Sequence, residues 1–395
     1  MIAPGQQLRS GALLAGSGLG VAPHWPDALD QALAAALAPL NGQPPHVLVL
    51  FASAAYADSY ADLLREAAVR TGARELIGCS ASGVIGVQRE LEGVPALAAL
   101  AVRLPAGSLL NVRRLEPGDA SELGWPRSDV NGLLILADPF TTDVTALVSG
   151  LERAYPGVPL VGGLATGNPG VRQTHIFCGS EAAPGGAVVL GLGGSATLRA
   201  VVSQGCQPIG RPWTITEADG PIVRNIGNRP AYQVLAETVR SLEPEERQRA
   251  ARNLLVGLAM DEYRSSFGRG DFLIRNLMAV DPSSGAIAIA GEPHVGQTLQ
   301  FQIRDARAAD EELRQMLSAV APVSGSAALL FACNGRGTGL FGAPDHDART
   351  VADFLGPVPL AGLFCNGEIG PVGRATYIHG FTASLGLIGS RADQT

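Results

Sequence analysis

HVLVLFAS (46–53), ADSYADLLREAAVRT (57–71) and ELIGCSASGVIG (75–86) carry the fold reading. The first stretch is a short apolar run of strand length, and the third is an apolar run that ends in glycines. Between them the apolar positions recur at helical spacing, with Asp58 as a cap. Together they predict a strand–helix–strand crossover.

The same grammar returns twice. GLLILADPF (132–140) precedes TTDVTALVSGLERAY (141–155), with Thr142 or Asp143 near the cap, and then PLVGGLATGNPG (159–170). SAALLFACNGRG (326–337) precedes HDARTVADFLG (346–356), and then PLAGLFCNGEIGPVG (359–373). From first strand to second the spacings are Leu48 to Leu76, Leu133 to Leu160 and Leu329 to Leu360, or 28, 27 and 31 residues. A glycine turn follows the second strand each time. This pattern predicts an α/β protein built from degenerate strand–helix–strand repeats, with β cores covered by helices.

Between the second and third copies the pattern differs. Residues 196–218 read as extended, and 228–242 and 244–253 read as helices. The stretches 253–260, 272–280 and 286–293 read as strands, the last two forming a hairpin around DPSSGA (281–286). Another amphipathic helix is expected over 309–320. Prolines and glycines cluster over 207–228, which places a boundary there and gives two domains, 1–210 and 211–395. A chain of 395 residues with 46% hydrophobic content can fill two cores.

Composition excludes several chemistries. All 29 basic residues are Arg, because the chain holds no Lys. P-loop NTPases, protein kinases and Schiff-base enzymes each need a lysine. A net charge of −7 without a basic stripe argues against nucleic acid. Five cysteines, Cys79, Cys178, Cys206, Cys333 and Cys365, form no CxxC motif and suit a reducing cytoplasm. The residues near Arg9 make a poor signal peptide, and no apolar run is long enough for a membrane span. Six scattered histidines give no metal pattern, and no cofactor is expected.

LIGCSASGVIG (76–86) after VLVLF (47–51), VGGLATG (161–167), RGDFLIRNL (269–277), FACNGRG (331–337) with LFG (340–342), and LAGLFCNGEIGP (360–371) occur in one order. As an ordered set spanning roughly residues 30–385 they resemble the FIST family, with 1–210 FIST N-like and 211–395 FIST C-like. The resemblance implies a sensory module for a small ligand, amino acids being a proposed class. The chain has no room for an attached kinase, cyclase or receiver domain, so it also implies a separate signalling partner. A homodimer stays open.

Backbone amides displayed at glycine turns suit a carboxylate or phosphate, and ligands of open α/β sheets lie beyond the carboxyl ends of strands. The candidate ligand-binding residues are therefore Gly78, Cys79, Ser80, Gly83, Gly162, Gly163, Asn334, Arg336, Asn366, Gly367 and Glu368. Arg336 can fork onto a ligand carboxylate or make a salt bridge, and Glu368 can hold an amine or cap backbone amides. Together they would complement a zwitterion. Asp271 and Arg275 are expected to pair on one strand face. Asp261 and Glu262 do not resemble a catalytic dyad.

Two alternatives remain. Cys79 is a nucleophile candidate if a helix begins at its turn, which makes a thiol-dependent enzyme the rival of the sensor. GCSAS lacks the second glycine of a nucleophile elbow around Ser80. The other alternative is a ligand-free protein–protein scaffold.

Overall fold

The computed structural model describes residues 12–118, 123–168, 170–320, 325–373 and 375–391. By contact the chain divides into two units. The first takes the chain up to Val202, Arg314–Ile378 and the segment from Thr382. The second takes Ser203–Leu313 with His379–Phe381.

The first unit holds three six-stranded sheets. One runs β1 (Leu14–Val21), β6 (Ala96–Arg103), β2 (Val47–Ser53), β3 (Glu75–Ala81), β10 (His175–Cys178), β11 (Glu181–Pro184). The next runs β24 (Ala375–His379), β23 (Glu368–Val372), β9 (Leu160–Leu164), β8 (Gly132–Ala137), β12 (Ala187–Gly194), β7 (Ser108–Leu115). The last runs β13 (Ala196–Ser203), β25 (Ala383–Ser390), β21 (Ala327–Cys333), β22 (Leu360–Cys365), β4 (Gly83–Gly86), β5 (Arg89–Glu92).

Each sheet contains one parallel pair, in the three places where a crossover was expected. Leu48 faces Leu76 across β2 and β3, Leu133 faces Leu160 across β8 and β9, and Leu329 faces Ala361 across β21 and β22. The crossing helices are α2 (Tyr60–Thr71), α3 (Val144–Ala154) and α8 (His346–Leu355), the last preceded by the short α7 (Gly337–Phe341). Asp143 caps α3, accepting from the Ala146 amide at 2.9 Å. Asp58 does not cap α2, because a tight turn over Ala54–Ser59, capped by Ser53, takes up that part of the chain.

These strands read as unbroken apolar runs because they are buried on both faces. Phe51 and Ile77 from the first sheet, Leu136 and Val161 from the second, and Phe331 and Leu363 from the third share one central core. The Phe51 and Phe331 rings meet edge to face at 6.2 Å. Alternate residues point outward: Leu48, Leu50 and Leu76 pack under α1 (Trp25–Leu37) and α2, and Leu133 and Ile135 under α3.

The expected glycine turns are something different. After β3 the chain passes through Ser82 into β4, which pairs with β22 of the third sheet. After β22 it passes through Asn366 and Gly367 into β23, which pairs with β9 of the second sheet. After β9 it next pairs as β10, beside β3 of the first sheet. Each second strand thus hands the chain to another sheet, and the three sheets are tied in a cycle.

The second unit is an antiparallel sheet. Its order is β14 (Cys206–Asp219), β20 (Thr298–Arg304), β17 (Leu254–Ala259), β18 (Phe272–Asp281), β19 (Ala286–Ile289), β15 (Ile222–Ile226), β16 (Arg229–Pro230), and β15 also pairs back onto β14. The hairpin of β18 and β19 closes with Asp281 opposite Ala286. Val234 and Leu235 of α4 (Ala231–Ser241) and Ala250 of α5 (Pro244–Asn253) cover its apolar face. The contact division cuts α6 (Ala306–Ser318) near Arg314. Asp271 does not pair with Arg275. It lies one residue before β18 begins, and its carboxylate holds Arg264 and the Gly268 amide.

Division by contact differs from a division at 210/211, which falls inside β14. The C-terminal strands β21 and β22 are apolar on both faces, so they need cover. They find it in the first unit, where β22 pairs with β4.

Candidate functional site

The carboxyl ends of the three parallel pairs open onto one cavity of about 780 Å³ in the first unit. Ser53 comes from the end of β2, and Ala81, Ser82 and Gly83 follow from β3. Phe140 comes from beyond β8, Ala165–Asn168 from beyond β9, and Asn334, Phe364 and Asn366 from β21 and β22. Glu92, Val94, Arg172 and Thr174 complete much of the wall.

Side chains stitch its floor across the three sheets. The Ser82 hydroxyl donates to Asn334 Oδ1 at 2.8 Å, and Asn334 Nδ2 donates to Asn366 Oδ1 at 2.8 Å. The Ser82 amide donates to Thr166 Oγ1 at 2.8 Å, and that hydroxyl donates to the Phe364 carbonyl at 2.7 Å. Ser80 sits one layer below. Its hydroxyl donates to the Thr166 carbonyl at 2.8 Å and accepts from the His175 amide at 2.9 Å. A ring of neutral groups bonded to one another holds a fixed shape, which pre-organises whatever remains unbonded.

What remains unbonded is informative. Among the described residues, Asn366 Nδ2 and the Asn168 amide have no partner. Among the described residues the Arg172 guanidinium makes no ion pair, and it stacks 5.2 Å from the Phe140 ring centre. Glu92 Oε1 accepts from the Thr338 amide and hydroxyl at 2.9 and 3.0 Å. Among the described residues the cavity therefore offers spare donors, one cation and one carboxylate.

Of the residues expected here, Gly83, Asn334 and Asn366 line the cavity, and Ser80 supports its floor. Gly78 and Gly162 lie within strands, where a Cβ would come within 1.8 Å of the Leu50 carbonyl and 1.9 Å of the Ile135 carbonyl. Close approach of the neighbouring strand demands glycine at both. Gly163 pairs with Glu368 across β9 and β23, with Phe331 against its Cα, and Gly367 packs on Leu164.

Arg336 and Glu368 are fully buried away from the cavity wall. Arg336 forks onto Asp347 at 2.6 and 2.9 Å, a salt bridge within one unit. Burial alone would raise the Asp347 carboxyl. The charge and hydrogen bonds of Arg336, with help from His346, overcome that and hold it well below the usual range. Glu90 lies beside this pair, pushed up to about 7 by burial and by the charge of Asp347. Glu368 accepts from the Cys365 thiol at 3.4 Å and the Thr382 amide at 3.2 Å, and burial pushes it up to about 8.

Cys79 lies within β3, opposite Ile176, with its side chain in the central core. No helix begins there. Burial raises its thiol well above the ordinary value, the opposite of an activated nucleophile. Native protein should alkylate at Cys79 at least about tenfold more slowly than free cysteine at pH 8, and at an ordinary rate once unfolded. Peptide mapping after iodoacetamide pulses reads this, and a native rate matching free cysteine would restore the thiol-enzyme reading.

Ser82, Thr166, Glu92 and Arg172 escaped sequence reasoning. A signal for the first two exists in GCSASG (78–83), GGLATG (162–167) and GLFCNG (362–367). Each carries a small polar residue just before its last glycine, and Ser82, Thr166 and Asn366 all face the same cavity. Nothing comparable marks Glu92, at the end of β5, or Arg172, which reaches the wall from the segment between β9 and β10.

The FIST N domain model matches residues 46–229, and the FIST C domain model matches residues 231–371. An uncharacterized protein of Mycobacterium tuberculosis (strain H37Rv) is 39% identical over 381 residues, covering 94% of this chain and 98% of its own. One from Mycobacterium bovis is 37% identical over 378 residues, covering 94% and 98%. Among solved structures, a cyanuric acid hydrolase from A. caulinodans aligns over 96% of this chain and 99% of its own, with 10% identity and a TM-score of 0.33.

Proposed function

Because the chain belongs to the FIST family, whose domains are associated with sensory signal transduction, we propose that its cavity receives a small polar metabolite and reports it to a partner protein. One observation supports this most: the carboxyl ends of all three parallel pairs converge on a single cavity with unbonded donors. In this reading Arg172 takes a ligand carboxylate, Glu92 an amine, and Asn366 and Asn168 the remaining polar edges. That set suits an amino acid or a close relative. The neutral floor of Ser82, Thr166 and Asn334 shapes the site. Five free cysteines fit a cytoplasmic setting, and among the described residues no helix is long and apolar enough to cross a membrane.

Thermal unfolding against amino acids and their keto- and hydroxy-acid analogues tests this. A ligand that binds only the folded state raises Tm by mass action, about 2.7 kcal/mol of stabilisation at a hundredfold excess over Kd. A ligand should raise Tm in the parent, and Arg172→Gln should abolish the rise. Among the described residues Arg172 makes no hydrogen bond, so the variant should melt like the parent without ligand. No shift with any compound, or a shift indifferent to Arg172, would sink the reading.

A further inference from the structure

At the opposite end of the β8–β9 pair lies a second pocket, of about 460 Å³. Val130 and Asn131 precede β8, Val158 and Pro159 precede β9, and Thr197–Arg199 of β13 form another side. Strand rise places it roughly 15–20 Å from the cavity at the carboxyl ends.

Its charge is one-sided. Arg127, Arg199 and Arg391 line it, and among the described residues no carboxylate does. In a chain of net charge −7 that concentration is unusual. The partners of these arginines are neutral. Arg127 donates to the Val130 and Pro156 carbonyls, both at 3.0 Å. Arg391 donates to Asn131 Oδ1 at 2.9 Å, and Asn131 is itself fixed by donating to the Gly194 and Ala196 carbonyls. Among the described residues Arg199 makes no hydrogen bond, and none of the three makes an ion pair. Asp129, two residues from Arg127, accepts from Ser128 and does not line the pocket.

Neutral acceptors orient a guanidinium without cancelling its charge. Three such groups around one hollow focus positive potential into it, and their spare N–H groups stay available as forked donors. A single carboxylate has too few oxygens to engage three forks, whereas a phosphoryl group offers three oxygens and up to two negative charges. We propose that this pocket is a binding site for a phosphoryl group, separate from the ligand cavity and independent of how that cavity is used. The hollow exceeds the size of a phosphate ion, so a small phosphate ester fits it best.

Titration calorimetry in low-chloride buffer tests this with three probes: inorganic phosphate, glycerol 3-phosphate and acetate. One phosphate or phosphate ester should bind per chain, the ester more tightly and acetate far more weakly. Arg199→Gln and Arg391→Gln should each weaken phosphate binding about fivefold or more, the loss of one charged hydrogen-bonding partner. Arg199 has no hydrogen bond among the described residues to lose, so its variant separates binding from folding. Arg65→Gln, on the exposed side of α2, should leave binding unchanged. Phosphate binding tighter than the ester's would make the free ion the ligand within the same site. The proposal is overturned if neither phosphate probe binds at millimolar concentration, if acetate binds equally well, or if both pocket variants bind as the parent does.

Discussion

Arg336→Met should destabilise the protein by about 3–5 kcal/mol, the cost of leaving a buried carboxylate without its counter-charge. Arg336 and Asp347 are both fully buried and joined by two short hydrogen bonds. Glu90, mostly buried itself, accepts from the Ala348 amide at 2.9 Å beside them. One guanidinium thus neutralises a pocket holding two carboxyls. Asp347 stays ionised because of it, while Glu90 sits near 7. The methionine leaves Asp347 with the ring of His346, at 3.0 Å, as its remaining side-chain partner among the described residues.

The pH dependence of this loss has a sign. The folded-state pKa of Asp347 is depressed, so its contribution is present above the ordinary carboxylate range and is lost as pH falls below it. Arg336→Met forfeits that contribution, so the gap between variant and parent should be widest near neutral pH and narrow in acid. Urea unfolding at pH 7 and pH 4 measures it. Arg349→Gln is the contrast: its exposed guanidinium pairs with Asp345 just before α8, so it should cost under about 0.5 kcal/mol. A pH 7 loss for Arg336→Met within 1 kcal/mol of the Arg349→Gln value, taken as about equal, would remove the buried pair from the account of stability.

Glu368→Gln should make the protein more stable at pH 8.5 and change little at pH 5.5. Glu368 is fully buried, and its folded-state pKa is raised to about 8. A carboxyl whose pKa is raised by folding holds its proton in the native state. Its stabilising contribution is complete below the ordinary value near 4.5 and fades as pH climbs through about 8. Each unit of separation is about 1.4 kcal/mol, so the parent should lose on the order of several kcal/mol across this window. Glutamine keeps the shape, can still accept from the Thr382 amide, and never ionises. The variant should be flatter with pH, leading the parent by roughly 1–3 kcal/mol at pH 8.5. Glu90 at about 7 and His46, held down to about 4 chiefly by burial, titrate in both proteins and cancel in the comparison. Unfolding curves with parallel pH slopes in the two proteins would show that Glu368 does not carry this proton.

Much of the fold was legible because burial on both faces leaves a plain mark. Runs such as VLVLF (47–51) and LLIL (133–136) have no polar interruption, which only strands covered on both sides tolerate. The helix between each such pair followed from 3.6-residue spacing. The edge strands β1 and β7 were not legible: LAGSGLGV (14–21) reads as a glycine-rich loop, and only its pairing with β6 makes it a strand. The glycine turns were legible as irregularities, but not as places where the chain changes sheet, because that depends on partners hundreds of residues away.

Local sequence determined where the apolar strands and helices form, that lysine chemistry is absent, and that polar residues and glycines gather at strand ends. These follow from burial period and backbone freedom, which act over a few residues. Only the tertiary structure decided which of those polar residues face open space. Arg336 and Glu368 carry the charges of a zwitterion site, yet Asp347 and the core claim them, because a buried charge must find its partner before it can serve a ligand. Arg172 and Glu92 looked ordinary in sequence, and the convergence of three sheets set them on the cavity wall.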